Sequence, residues 1–293
     1  MLWILPSLLV GCVMAPTQTE EVGWEVMLQV DVQRPTIAVE FLDQAFGIVV
    51  GDSGALDYTT DGGRTWPRAA DHTAQSRAGL DIVDERVIWL VGAGGRVWTS
   101  TDGGRNWHTV SSLSYRGHVE FISFVDAQTG WAASAESKQL WATGDRGQTW
   151  EEIALPKDVG GLVAIVLRTA SDGYLLDNAG VLHVTQDGGQ HWSSRTLGLG
   201  DESLTIPILT PTAAMRFWEA DCGTIVLGLA GAGKSEVRAM HTMDGGRTWE
   251  RERVPVSIGQ FYLAHNGTTL TVAGLTDSGK ITVLSHRLCC VGR

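Results

Sequence analysis

Short apolar runs alternating with polar positions recur along the chain, and they recur in sets. "VEFLDQAFGIVVG" (39–51) lies in register with "LDIVDERVIWLVG" (80–92), and "FVDAQTGWAAS" (124–134) follows the same course. Alternation at period two predicts half-buried strands. Each set holds three such runs and a short fourth one, so the period reads as a four-stranded meander. In the first set the strands are expected at 37–42, 46–51, 55–60 and 65–69. Gly47, Gly130 and Gly173 open second strands, while Gly54, Gly95 and Gly180 stand where a tight hairpin asks for positive φ.

Between the third and fourth strands of each set sits one polar octad. It reads "TTDGGRTW" (59–66), "STDGGRNW" (100–107), "TGDRGQTW" (143–150), "TQDGGQHW" (185–192) and "TMDGGRTW" (242–249). The aspartates Asp61, Asp102, Asp145, Asp187 and Asp244 are 41, 43, 42 and 57 positions apart. A fixed period of this length is structural before it is chemical. An aspartate in a turn accepts backbone N–H groups of its own loop. Gly63, Gly104, Gly147, Gly189 and Gly246 follow two positions later, where a tight turn favours glycine. Trp66, Trp107, Trp150, Trp192 and Trp249 close the octads, and each is expected to open a fourth strand and pack between sheets. Octad three, with Gly144 and Arg146, is the least regular.

Units of about 42 residues carrying four strands suit the blades of a β-propeller. A sixth unit lacks the octad but keeps three runs, "QFYLAHN" (260–266), "TLTVAGLTD" (269–277) and "KITVLSHR" (280–287). Its missing strand is sought in "GWEVMLQV" (23–30), with Trp24 in the place of an octad tryptophan. The expectation is an all-β, six-bladed propeller of four-stranded antiparallel blades over 23–288, its ring closed by an N-terminal strand, which would remove an open edge. The 57-residue interval puts longer loops on unit five, in "GLGDESLTIPILTPT" (198–212) and "AGAGKSE" (230–236). Loops on a rigid scaffold are where binding surfaces are built.

The octads resemble the Asp-box, or bacterial neuraminidase repeat, found in sialidases, xyloglucanases, sortilin-type receptors and photosystem II assembly and stability factors. The resemblance covers roughly residues 23–287, and it implies a fold whose boxes sit on the rim, away from the axis. Unit one (39–66) is most similar to the photosystem assembly factors, which implies a non-enzymatic propeller assisting assembly of a membrane complex. The chain departs from them in offering six units where seven are expected, and in lacking an evident arginine-rich patch.

At the N-terminus, "MLWILPSLLVGC" is apolar and too short to span a bilayer. Its "LVGC" ending resembles the lipobox of bacterial lipoproteins, which implies export, cleavage and lipidation at Cys12, with residues 1–22 as signal and tether. The usual Lys or Arg is missing from its start. Of the remaining cysteines, Cys222 either pairs with Cys289 or Cys290 or is a small buried apolar residue. Residues 289–293 form a tail.

The composition is that of a globular chain: 293 residues, 43% apolar and 19% charged, with 36 glycines and 12 tryptophans. A formal charge of −11 without a basic run argues against a sequence-independent grip on nucleic acid. A sialidase needs three axial arginines and a tyrosine nucleophile. Of the four tyrosines (58, 115, 174 and 262), Tyr58 falls next to an octad, and Arg34 in "QRPT" is a poor echo of the family's Arg-Ile-Pro. "GLAGAGKS" (228–235) satisfies the P-loop pattern, but such a loop must lead into a helix, and here a strand and an octad follow. Neither the eight histidines nor the cysteines fall at metal-ligand spacing. No catalytic, cofactor or metal residue is assigned. The resulting expectation is a monomeric, non-catalytic propeller of the cell envelope, held to the membrane by its lipid alone and binding a protein partner or glycan. A sialidase-like hydrolase or carbohydrate-binding propeller is the alternative.

Overall fold

The computed structural model describes residues 24–287, apart from 32–35, 52–54, 72–78, 114–116, 200–204, 208–212, 220, 232–233, 255–259, 266–268 and 276–279. Strand β1 (Glu25–Asp31) is followed by five consecutive four-stranded antiparallel sheets. Blade one comprises β2 (Thr36–Phe41), β3 (Gly47–Gly51), β4 (Ala55–Thr59) and β5 (Arg68–Asp71). Blade two comprises β6 (Gly79–Ile82), β7 (Ile88–Val91), β8 (Arg96–Ser100) and β9 (His108–Ser112). Blade three has β10 (Phe121–Phe124), β11 (Gly130–Ser134), β12 (Gln139–Thr143) and β13 (Glu151–Ile153). Blade four has β14 (Leu162–Leu167), β15 (Gly173–Asp177), β16 (Val181–Thr185) and β17 (Ser193–Thr196). Blade five has β18 (Ala213–Phe217), β19 (Gly223–Gly231), β20 (Lys234–Thr242) and β21 (Glu250–Val254).

The expectation of six equivalent blades closed by an N-terminal strand is corrected here. The box-bearing repeat yields five blades, β2 to β21. The remaining strands, β22 (Gln260–His265), β23 (Thr269–Leu275) and β24 (Lys280–Arg287), form a sheet of different make with β1, in the order β1-β24-β23-β22. The chain after Val254 carries no further copy of the octad. The N-terminal strand does less than the closure expected of it. It is the outer edge of this sheet, with Glu25 opposite Ser285 and a register shift between Val26 and Leu28. The innermost strand is β22, beside β2 and β18.

A repeated contact fixes how blades meet. Phe41, Phe124 and Phe217 end the inner strands β2, β10 and β18, and each is paired across its blade with a glycine: Gly47, Gly130 and Gly223. The Phe124 ring lies flat on Gly130, where an added Cβ would come within 2.5 Å of it. Its other face stacks on Trp89 of the preceding blade, with centroids 4.0 Å and planes 2° apart. Phe217 stacks likewise on Tyr174, at 3.8 Å and 3°. Such pairs add about 0.5–1.5 kcal/mol each beyond the area they bury. In blade four Leu167 replaces the ring opposite Gly173. Trp131 of blade three moves into the gap and covers that glycine directly.

Gly173 is therefore a close-approach position: a Cβ there would lie 2.1 Å from the Trp131 indole. Gly173→Ala is expected to cost about 1–3 kcal/mol, as overpacking does. Calorimetry should read this as a melting temperature lower by several degrees, and an unchanged transition would refute the packing.

Candidate functional site

The octads are complete hydrogen-bonded units. In the first, Thr59 Oγ1 donates to Asp61 Oδ1 (2.8 Å) and accepts from Gly63 N (2.7 Å). Thr65 donates its amide to Asp61 Oδ1 (2.9 Å) and its hydroxyl to Oδ2 (2.7 Å). The same circuit runs through Ser100, Asp102 and Asn106 and through Thr143, Asp145 and Thr149. It recurs in Thr185, Asp187 and His191, and in Thr242, Asp244 and Thr248. The amides of Gly62, Gly103, Arg146, Gly188 and Gly245 tie each octad to the hairpin between its blade's first two strands, bonding to Ala45, Arg86, Gln128, Ser171 and Asp221 carbonyls. Arg146 does so at φ 66, where the other octads use glycine. Each aspartate is thus engaged by its own turn in its own blade.

The tryptophans do not open fourth strands as expected. These strands begin one or two residues later, at Arg68, His108, Glu151, Ser193 and Glu250. In two octads the indole is tied to the turn: Trp107 Nε1 donates to Gly104 O (2.9 Å) and Trp150 Nε1 to Gly147 O (3.0 Å), while Trp192 Nε1 donates to Ala154 O (2.9 Å). Gly104, Gly147, Gly189 and Gly246 face Ile48, Trp89, Ile153 and Leu182 of the preceding blade, so these four octads also seal blade junctions. Trp24 packs in the cluster of Val226, Leu263 and Leu284 between blade five and the last sheet. Cys12, Arg34, Tyr115, Cys289 and Cys290 lie outside the described residues, and Cys222 is a buried free thiol. The P-loop-like segment is part of the β19–β20 hairpin, with Gly228 opposite Val237 and Gly231 opposite Lys234, and no helix follows it.

The inner strands enclose an axial cavity of about 260 Å³. The penultimate residue of β2, β6, β10, β14 and β18 is Glu40, Asp81, Ser123, Val166 and Arg216 respectively, and all five line it. These equivalent positions also stitch neighbouring blades together. Phe124 N donates to Asp81 Oδ2 (2.6 Å), Leu167 N donates to Ser123 Oγ (3.0 Å), and the Ile82 amide donates toward Glu40. Burial, and then the Asp81 charge, push the Glu40 carboxyl well above its ordinary range, while Arg216 pulls it back. Asp81 is raised to about 6, chiefly by burial, against the Phe124 hydrogen bond and the Arg216 charge. Sequence reasoning missed this ring. Its visible signal was a charged residue inside otherwise apolar runs, as in "VEF", "LDI" and "MRF".

A second polar line was also missed. His183 Nδ1 lies 2.8 Å from Ser194 Oγ, and His183 Nε2 lies 3.4 Å from Asp177 Oδ2. The order of groups matches a hydrolytic triad. The chemistry does not follow, because Asp177 also accepts the Gly160, Ala179 and Val181 amides and serves to fix a hairpin. Burial pushes its carboxyl up, but the His183 hydrogen bond, followed by those of the Val181 and Gly160 amides, holds it below its ordinary value. At the axis, Arg168 is paired with Asp172, and no tryptophan or tyrosine is among the described lining residues. Among the described lining residues the arginines are Arg168 and Arg216, so these residues do not present a sialidase's arginine triad or tyrosine nucleophile.

Residues 16–116 and 145–259, well over half of the chain, match the family model described as Photosynthesis system II assembly factor YCF48. The chain belongs to the YCF48 family. Among relatives, the Photosystem II assembly lipoprotein Ycf48 of Synechococcus sp. (strain CC9902) is 24% identical over 185 residues, 63% of this chain and 44% of that protein. The match thus spans less than half the length of that curated relative. The solved structure of YCF48 bound to D1 peptide is similar at a TM-score of 0.53 and 16% identity, covering 92% of this chain and 97% of that one. An ancestral GH74 enzyme is similar at a TM-score of 0.56 and 13% identity over 83% of this chain and 35% of its own. At these identities the structural likeness shows the fold alone. The YCF48 match favours a non-enzyme over the distant hydrolases.

The two carboxylate sets act on stability in opposite directions. Asp61 and Asp187 are lowered from 3.8 to about 2, first by the amides of Thr65 and His191. They stabilise the fold above pH 3.8, and this is lost as pH falls through about 2. Asp81 binds its proton more tightly folded than unfolded, so stability declines as pH rises from 3.8 through about 6, and Glu40, raised likewise, acts in the same direction. Melting temperature against pH should peak between these limits. Asp187→Asn should flatten the acid limb and Asp81→Asn the upper one, and a profile indifferent to both would refute the assignment.

Proposed function

We propose that this chain is a non-catalytic scaffold, exported and held at a membrane surface by a lipid on Cys12, that grips a polypeptide segment during assembly of a membrane complex. The observation carrying this reading is the YCF48 match across the blade-forming region. A family member solved with a D1 peptide supports a peptide as the kind of ligand, and a relative named as a lipoprotein supports the anchor. The boxes and the hairpins between first and second strands share one face, joined by the amide bonds of the octads. The opposite face carries the long β19–β20 hairpin and the described connection between blades three and four (154–161). That face is the proposed gripping surface, since loops on a rigid scaffold carry recognition.

Cross-linking of the intact protein in membranes, followed by mass spectrometry, should place a membrane-complex subunit against the inter-blade connections. Cross-links confined to the box face would overturn the choice of surface. Metabolic labelling with a palmitate analogue should disappear in Cys12→Ala, and retained label would remove the anchor. The hydrolase reading is tested on a panel of fluorogenic glycosides, where turnover sensitive to Glu40→Gln would displace the scaffold.

A further inference from the structure

We infer that the axial channel is a binding site for a primary ammonium carried on a short alkyl stem, received between Glu40 and Asp81. Glu40 is 6% exposed and lines the cavity, and its Oε2 has no hydrogen-bond partner. A buried carboxylate oxygen without a donor is costly, and a structure that keeps one leaves a place for a donor to arrive. Asp81 stands at the equivalent position of the next blade, and Arg216 opposes both. With both carboxylates ionised, the three groups leave one negative charge uncompensated. An ammonium supplies that charge together with three N–H donors.

The space has a plain origin. Residues two positions earlier on the inner strands, which point the same way, include Gly79, Ala164 and Ala214. Small residues there leave a cavity of about 260 Å³ beneath the charged ring. This is room for several waters, at about 30 Å³ each, or for a few methylenes. Leu80, Ile122 and Leu263 supply apolar wall for the stem. The other charged groups of the channel are already engaged. Glu120 Oε2 accepts the Ala135 amide (3.0 Å), and Arg168 is paired with Asp172. The inference goes beyond the scaffold reading and does not depend on it.

The test is calorimetric titration of the full chain with n-butylammonium chloride at pH 7.5, against sodium chloride at equal ionic strength. Saturable binding specific to the amine is expected, with a raised melting temperature. Glu40→Gln keeps an acceptor for the Ile82 amide and should weaken binding about tenfold or more, the scale of one charge-assisted hydrogen bond. Arg216→Gln removes the competing cation and should tighten it several-fold. General damage to the fold would not move the two variants in opposite directions. Affinity should fall as pH drops through about 6 and Asp81 takes up its proton, with Glu40, raised likewise by burial, acting in the same direction. Glu40→Gln leaves Asp81, Glu120, Arg168 and Arg216 in place, and Arg216→Gln leaves Glu40, Asp81, Glu120 and Arg168. A lysine-containing peptide that competes at lower concentration than the free amine would assign the ammonium to a protein side chain, and the reverse order to a small amine. No saturable binding by the wild type, or equal binding by Glu40→Gln, would overturn the site.

Discussion

An aromatic ring laid flat on bare glycine backbone sets how closely neighbouring blades approach. Phe124 rests on Gly130 and is covered by Trp89, and Phe217 is held in the same way between Gly223 and Tyr174. The inner strands come near enough for side chains of one blade to accept amides of the next, as Asp81 and Ser123 do. The axial cavity is what those bonds enclose. Where the ring is lost, at Leu167, the preceding blade's Trp131 takes over its surface, so the spacing is kept with different atoms.

The octads work from the rim toward the same end. Their aspartates spend both carboxylate oxygens on the turn itself, and their glycines and tryptophans pack on the preceding blade. At the axis the carboxylates of Glu40 and Asp81 face Arg216, and Glu40 Oε2 is among the buried polar atoms without a hydrogen-bond partner.

The period was legible because the octad is nearly invariant among its five copies, and a turn that must close on its own aspartate tolerates few residues. Its meaning as a turn was legible for the same reason. The role of Thr59, Thr65 and their counterparts was less so, since a threonine near a turn is common and only coordinates reveal the shared oxygen. The tryptophan's place was misjudged by one or two residues, and at Trp107 and Trp150 the indole is held by a turn carbonyl. The final sheet resisted reading because its partners are joined by folding and not by repetition. Glu40, Asp81 and Arg216 were hidden by their strands: each occupies one position of an alternating run, and no local pattern says that five such positions converge.

The sheet that unites β1 with β24 has a consequence for biogenesis. Glu25 is paired with Ser285, far along the chain, so β1 cannot join its sheet until β24 has been made. Blades one to five can each condense locally as they emerge, whereas β1 waits for its partner. The stretch of chain between the two strands sets an interval in which β1 stays accessible to other machinery before β24 captures it.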